Sequence, residues 1–229
     1  AVMVLIGHVL AEAEHYFALP LPGDAIPWTR GVDIFFVISG FVMAMIVSRP
    51  GPFRPGDFLL RRIARVVPGY YLATFGVFAL ALAVPSLFAS TIADVWTLVR
   101  SLAFFPWPDS HGSMAPLLLV GWTLNYEIFF YALVLLVAGL FGDRHLYGVI
   151  ALLCALVLTG WVLHPLQPTI AFYTDCILLE FTFGILVWHL YRLLSGDRAE
   201  AVSFVVFVGG VIFFALQHER DPGICRTLT

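Results

Sequence analysis

LLLVGWTLNYEIFFYALVLLVAGLF, residues 117–141, runs for 25 residues with a single charge, Glu127. A helix crosses the hydrocarbon core of a bilayer with about 20 mainly apolar residues. In lipid each backbone N–H and C=O must find its partner inside the segment, so a helix is the form such a stretch takes. The stretch therefore predicts a transmembrane helix, and it decides how the rest is read. Working outward, apolar runs of similar kind occupy 146–164, 170–194 and 201–217 on one side, and 69–89, 32–48 and 1–11 on the other. The run at 1–11 is long enough for only part of a span. A shorter run, 95–107, contains Arg100 and ends in Pro-Trp-Pro, which predicts a re-entrant or interfacial segment.

Composition agrees. Of 229 residues, 61% are hydrophobic and 12% charged, and mean hydropathy is +0.94. A soluble domain carries about 45–50% apolar and about 25% charged residues. Its surface could not be covered with the polar side chains available here. The expected fold class is all-α, a polytopic transmembrane helix bundle with no internal repeat. A net charge of −3 gives no basic surface for nucleic acid. The three cysteines, Cys154, Cys176 and Cys225, lack paired spacing and suggest neither a disulfide frame nor a metal site. No metal-binding, P-loop or dinucleotide motif is present, so no metal and no tightly bound cofactor is expected.

Arginine placement sets the orientation. The connection 49–65 carries Arg49, Arg54, Arg61, Arg62 and Arg65, and alternate connections carry Arg144, Arg192 and Arg198. This set is expected on the cytoplasmic side of a bacterial plasma membrane. The opposite set is rich in acids, prolines and glycines, as external loops near a membrane are.

Ionisable residues inside spans are costly and tend to be functional. His8 sits in the first apolar run, where an imidazole can take a proton from a hydroxyl or can simply bond a neighbouring helix. Asp33 opens GVDIFFVISGF and is either an interfacial carboxylate or a partner for His8 or a substrate hydroxyl. Ser39 and Gly40 follow mid-span, where small residues allow close helix packing. Ser39 has no nucleophile-elbow context. Glu127 lies four residues before Tyr131 and shares a helix face with it and with Thr123, while Trp122 and Asn125 stand nearby. Such a face can bind a polyol or relay protons, or form a structural polar cluster. Arg61, Arg62 and Arg65 crowd the entrance to the next span, and their forks suit phosphates, although topology alone also accounts for them. On this reading His8, Asp33 and Glu127 lie toward the external half and the arginines at the cytoplasmic mouth.

In order, His8, GVDIFFVISGF (31–41), FLLRRIARVVPGYYLAT (58–74) and GWTLNYEIFFY (121–131) resemble the acyltransferase 3 family, most nearly its exopolysaccharide acetyltransferase branch. The likeness is strongest over 1–131. The resemblance implies one membrane acyltransferase domain over 1–229, a fragment truncated at both ends, with about seven spans present of about ten. It implies transfer of an acyl group, acetyl on family grounds, from cytoplasmic acyl-CoA as co-substrate to a hydroxyl of a cell-envelope or exported sugar. In that scheme His8 is the general base, assisted by Asp33 or Glu127. Arg61, Arg62 and Arg65 hold the CoA phosphates. Trp122, Asn125, Tyr131 and Ser39 belong to the acceptor site or to structural motifs. The partners are acyl-CoA, a carbohydrate acceptor and the bilayer. The rival reading is a polytopic transporter or flippase for a glycan or small polar solute, since intramembrane His, Asp and Glu also suit proton-coupled transport. Transporters often carry two related halves, and this sequence shows none.

Overall fold

The computed structural model describes residues 31–51, 53–84, 94–108, 114–141 and 145–194. His8 and the apolar runs 1–11 and 201–217 lie outside the described residues. All regular structure among the described residues is helical: α1 (Gly31–Val47), α2 (Pro55–Ala83), α3 (Val95–Leu102), α4 (Gly121–Phe141), α5 (His145–Leu163), α6 (Pro168–Tyr173) and α7 (Leu178–Leu194). Four helical stretches are long and apolar enough to cross a membrane, 55–83, 121–140, 146–163 and 168–194, and α1 is a shorter apolar helix. Large apolar side chains are correspondingly exposed along these helices, Leu72 of α2 at 77% and Trp161 of α5 at 74% among them. In water such surfaces would be a liability, whereas lipid covers them.

The described residues fall into two units, those of 31–49 with those of 179–194, and those between 50 and 178. In the first unit α1 packs on α7 through glycine. A Cβ on Gly40 would sit 3.0 Å from the Phe181 Cα and still closer to the Phe181 carbonyl. A Cβ on Gly184 would meet the Val37 carbonyl and come within 2.7 Å of the Phe41 nitrogen. Each glycine thus admits the other helix's backbone, the arrangement that small residues permit where no water drives helices together. Phe36 stacks at a tilt on Phe181, 4.8 Å between centroids, and Trp188 Nε1 donates to Ser48 Oγ at 3.1 Å.

In the second unit α2 is longer at its start than the sequence suggests. The apolar run was expected from 69, but the helix begins at Pro55 and continues through Pro68. Proline at the first helical position fits because its missing N–H would be unbonded there anyway. Interior proline is tolerated in membrane helices, where neighbouring groups re-satisfy the freed backbone. The arginine-bearing connection of 49–65 is therefore mostly helix, and Arg61, Arg62 and Arg65 are helical residues.

The short run behaves as expected in length. α3 has only eight residues and then turns, with Phe104 at φ 53°. Its polarity is inverted: Thr97, Arg100 and Ser101 are buried while Val95, Trp96 and Val99 are exposed. Asp94 caps it, accepting from Thr97 N at 2.8 Å and from Thr97 Oγ1 at 2.8 Å. Those bonds hold the Asp94 carboxyl below its ordinary value. Arg100, buried at 6% exposure, donates to the carbonyls of Trp107 and Ala115, the latter at 3.2 Å. Ser101 Oγ donates to Thr97 O at 2.6 Å and accepts from Leu117 N at 2.8 Å. These bonds tie Trp107, Ala115 and Leu117 to α3, supplying partners to backbone groups outside a helix.

The run expected at 170–194 is broken. α6 ends at Tyr173, and α7 starts at Leu178 after a turn in which Asp175 Oδ1 accepts from Ile177 N at 2.8 Å. Cys176, in that turn, is disulfide-bonded, against the expectation that the cysteines pack singly. Cys154 is free and exposed.

Candidate active site

The polar residues of the second unit gather where α2 meets α4. Glu127 and Tyr131 lie one turn apart on α4, so their side chains stand one above the other. The Tyr131 hydroxyl donates to Glu127 Oε1. Both are buried, at 2% exposure for Tyr131 and 7% for Glu127. Phe58 of α2 meets the Tyr131 ring edge-on, with centroids 6.0 Å apart at 85°. The Arg62 guanidinium carbon lies 5.4 Å from the Tyr131 centroid and 5.8 Å from that of Phe58. Phe58 and Arg62 are themselves four apart on α2, so one helix presents ring and cation together.

The grouping brings a residue of the arginine run beside the polar face of α4. Arg62 stands level with Tyr131, the middle of the 21-residue α4, and one turn from Glu127. The reason is the early start of α2, which carries the arginines alongside α4 instead of leaving them in a connecting loop. Arg61 and Arg65 are exposed on the same helix.

The other end of the α2–α4 contact is tight. A Cβ on Gly121 would lie 2.7 Å from Tyr70 Cε2, and the Tyr70 hydroxyl reaches Ser101 O at 3.3 Å. Tyr71 donates to Leu102 O at 2.8 Å. Behind α4, Tyr126 stacks on Phe172 of α6, 3.9 Å between centroids at 14°. Trp122, half-buried, meets Tyr126 edge-on at 6.1 Å. These rings fix the rotation of α4 about its axis, and so fix where Glu127 and Tyr131 point.

Other expected residues fall as follows. Asn125 is buried at 2%, with its side-chain oxygen lacking a protein partner among the described residues. Thr123 bonds back to Val120 O at 2.9 Å and does not join the Glu127 group. In the first unit, Asp33 is half-buried in the first turn of α1, and Ser39 is half-buried beside the glycine contact of Gly40. Among the described residues no three His, Cys, Asp or Glu side chains cluster as a metal site would require.

Two contributors were not singled out from sequence. Phe58 could have been found from its four-residue spacing to Arg62. Arg100 was visible only as a charge in a short apolar run, and its burial depends on carbonyls far along the chain.

Chemically, a guanidinium close to two aromatic rings keeps its charge and an N–H edge. That edge matches paired phosphate or carboxylate oxygens. A buried carboxylate hydrogen-bonded to a phenol can accept protons or fix the phenol's orientation.

Comparison with known proteins gives the lineage. The sequence profile of the acyltransferase 3 family, described as an acyltransferase domain, matches residues 1–223. The chain is 37% identical over 190 residues to "Exopolysaccharide production protein ExoZ" of Rhizobium meliloti, covering 82% of this chain and 56% of that protein. It is 32% identical over 234 residues to "Putative peptidoglycan O-acetyltransferase YrhL" of Bacillus subtilis, covering 86% of this chain and 36% of that protein. It is 28% identical over 211 residues to "Putative membrane-bound transacylase BcsY" of Komagataeibacter xylinus, covering 82% and 52%. The chain thus spans about half the length of the curated relatives it matches, or less. No solved structure matches.

Proposed function

Because the chain belongs to the acyltransferase 3 family, we propose that the whole protein is a multi-pass enzyme of the bacterial plasma membrane that O-acylates sugars. The acyl group, acetyl by family likeness, comes from cytoplasmic acyl-CoA. The acceptor is a hydroxyl of a cell-envelope or exported glycan, which is the kind of molecule named in two of the relatives. The arginine-rich turn before α2 and the start of α2 face the cytoplasm.

The observation that carries this reading is the meeting of two motifs far apart in sequence. The arginine run of α2 and the GWTLNYEIFFY stretch of α4 come together as Arg62 on Tyr131, beside Glu127. A cation with an open N–H edge, set in an apolar helix pair, suits the phosphates of a nucleotide-bearing thioester donor. Arg61 and Arg65 add charge at the same end of α2.

In the proposed reaction His8 takes the proton from the acceptor hydroxyl. The hydroxyl oxygen attacks the thioester carbonyl, the carbon–sulfur bond breaks, and the thiolate of CoA leaves and recovers the proton from the imidazolium. Lipid-facing helices keep water from the thioester, and the arginines hold the donor still while the acceptor approaches. Asp33 and the Ser39–Gly40 stretch belong to the α1 side. There Asp33 is assigned to orienting the histidine or an acceptor hydroxyl, and Trp122 and Asn125 to the acceptor side of α4.

The test is turnover by the purified whole protein in detergent or nanodiscs. Acetyl-CoA with a glycan acceptor should yield free CoA thiol and an O-acetylated glycan in equal amounts. Movement of labelled glycan across a vesicle membrane with no thiol released would replace this reading with transport.

A further inference from the structure

The short apolar run 95–107 carries two exposed tryptophans, Trp96 at 60% and Trp107 at 45%, and the structure supports them differently. Trp96 stands with Val95 and Val99 on the exposed apolar side of α3, a surface that lipid covers. Trp107 lies between Pro106 and Pro108, whose rings fix their own φ. The buried Arg100 donates to the carbonyl of Trp107, and Thr169 of α6 donates to that of Pro106 at 2.9 Å. Side chains from two helices therefore hold the backbone of this turn.

Rings run inward from it as a row. Phe105, also 45% exposed, stacks beside Trp107, with centroids 6.1 Å and planes 30° apart. Tyr173 of α6 meets Phe105 at 6.4 Å and Phe129 of α4 at 4.3 Å. One turn before Phe129, on the same face of α4, is Asn125. It is buried, and its Oδ1 has no hydrogen-bond partner among the described residues.

We propose that Phe105 and Trp107 form a sugar-stacking subsite for the acceptor glycan, with Asn125 at the inner end of the ring row to take a sugar hydroxyl. The proposal rests on the sugar-acylation reading above and adds Phe105, Trp107 and Tyr173, to which that reading gives no role.

The physical case has three steps. A pyranose ring presents a face of weakly positive C–H groups, which the negative face of an indole or phenyl ring attracts. That contact needs flat rings already held in place, since ordering them on binding costs affinity. The flanking prolines and the two carbonyl bonds hold them here. A lipid anchor has no such need, because burial of apolar surface is non-directional. Lastly, a buried amide oxygen without a partner lacks the bond it would make in water, and a hydroxyl brought by a ligand restores it. A sugar offers both, an apolar face and hydroxyls around its rim.

The probe is the envelope and exported glycan of the cells that make the protein, stripped of O-acyl groups with mild base. It is given with acetyl-CoA to the purified whole protein in nanodiscs. Trp107→Leu keeps apolar bulk but loses the flat face, and should raise KM for the glycan about tenfold with kcat retained. Phe105→Leu should raise it about threefold, and Trp107→Phe should recover most of the loss. Asn125→Ala should lower kcat/KM for the glycan about tenfold. None of these should move KM for acetyl-CoA, and Trp96→Leu should leave both KM values at the wild-type level. If Trp107→Leu does not fold, Trp107→Phe and Phe105→Leu carry the same comparison.

A folded Trp107→Leu protein with the wild-type KM for the glycan overturns the proposal. So do Trp107→Leu and Trp96→Leu proteins that lose thermal stability equally with glycan KM unchanged, since that makes both residues lipid anchors. Absence of thiol release by the wild type fails the acyl-transfer reading itself. Retention of labelled glycan by the nanodiscs then decides the subsite: a loss in Trp107→Leu supports it, and equal retention, or none by the wild type, overturns it.

Discussion

Where α1 meets α7, backbone touches backbone: Gly40 and Gly184 leave no space for a Cβ on either side, and Phe36 and Phe181 close the contact. Where α2 meets α4, side chains with polar atoms stand between the helices: Tyr70 beside Gly121 at one end, and Arg62, Tyr131 and Glu127 at the other. Lipid offers no hydrophobic gain for bringing two apolar helices together, so association rests on close packing or on polar contacts. The first crossing is closed by backbone packing and aromatic rings, with a hydrogen bond from Trp188 to Ser48 at its end. The second uses charge and hydrogen bonds, and those are the groups that can meet a substrate. Their difference separates structural glycine from functional side chain within motifs that look alike in sequence.

The largest expected effect breaks the first crossing. Gly184→Ala places a methyl against the Val37 carbonyl and the Phe41 nitrogen, which are backbone atoms and cannot swing aside. A loss of about 3 kcal/mol, the upper part of the usual overpacking range, is expected in reversible unfolding in mixed micelles. Gly76→Ala, where nothing stands within 4 Å, is the control. It should be neutral or stabilise by about 0.5–1 kcal/mol, because alanine costs less than glycine in a helix. Equal effects at the two glycines would remove the distinction.

Next comes the polar side. Arg100→Ala leaves the carbonyls of Trp107 and Ala115 without their charged donor, and a destabilisation of about 2–3 kcal/mol is expected. Limited proteolysis should then cut first between 103 and 117. Tyr70→Phe removes the bond to Ser101 O but keeps the ring against Gly121, for about 1 kcal/mol.

How much of this could be read in advance depends on the kind of interaction. Composition placed α1 and α5 within a residue or so, 32–48 against Gly31–Val47 and 146–164 against His145–Leu163, since unbroken apolar runs have few alternatives in lipid. The start of α2 was misread because arginines and Pro68 look like loop, whereas a membrane helix can carry both. The break at 174–177 is invisible to hydropathy, which scores 168–194 as one span. In the site, the Glu127–Tyr131 pair follows from four-residue spacing alone. The Arg62–Tyr131 contact joins residues far apart in the chain and needs the fold.

The smallest expected effect is at Asp94. Its carboxyl is lowered first by the backbone N–H of Thr97 and then by the Thr97 hydroxyl. A group whose pKa falls on folding adds stability above its unfolded value, near 3.8, and loses that contribution as pH drops through the lower folded value. Asp94→Asn should cost less than about 1 kcal/mol at neutral pH and should converge with the wild type at strongly acid pH. A gap that widened on acidification would contradict the capping role.

The proposed reaction is acyl transfer through His8 from a thioester held by the arginine run. The direct measurement is acceptor-dependent release of CoA thiol from acetyl-CoA by the purified whole protein, wild type beside His8→Ala. Release is expected in the wild type, with a fall of about 10²–10⁴-fold in kcat in the variant and acetyl-CoA still bound. A His8→Ala protein that releases thiol at the wild-type rate would contradict it.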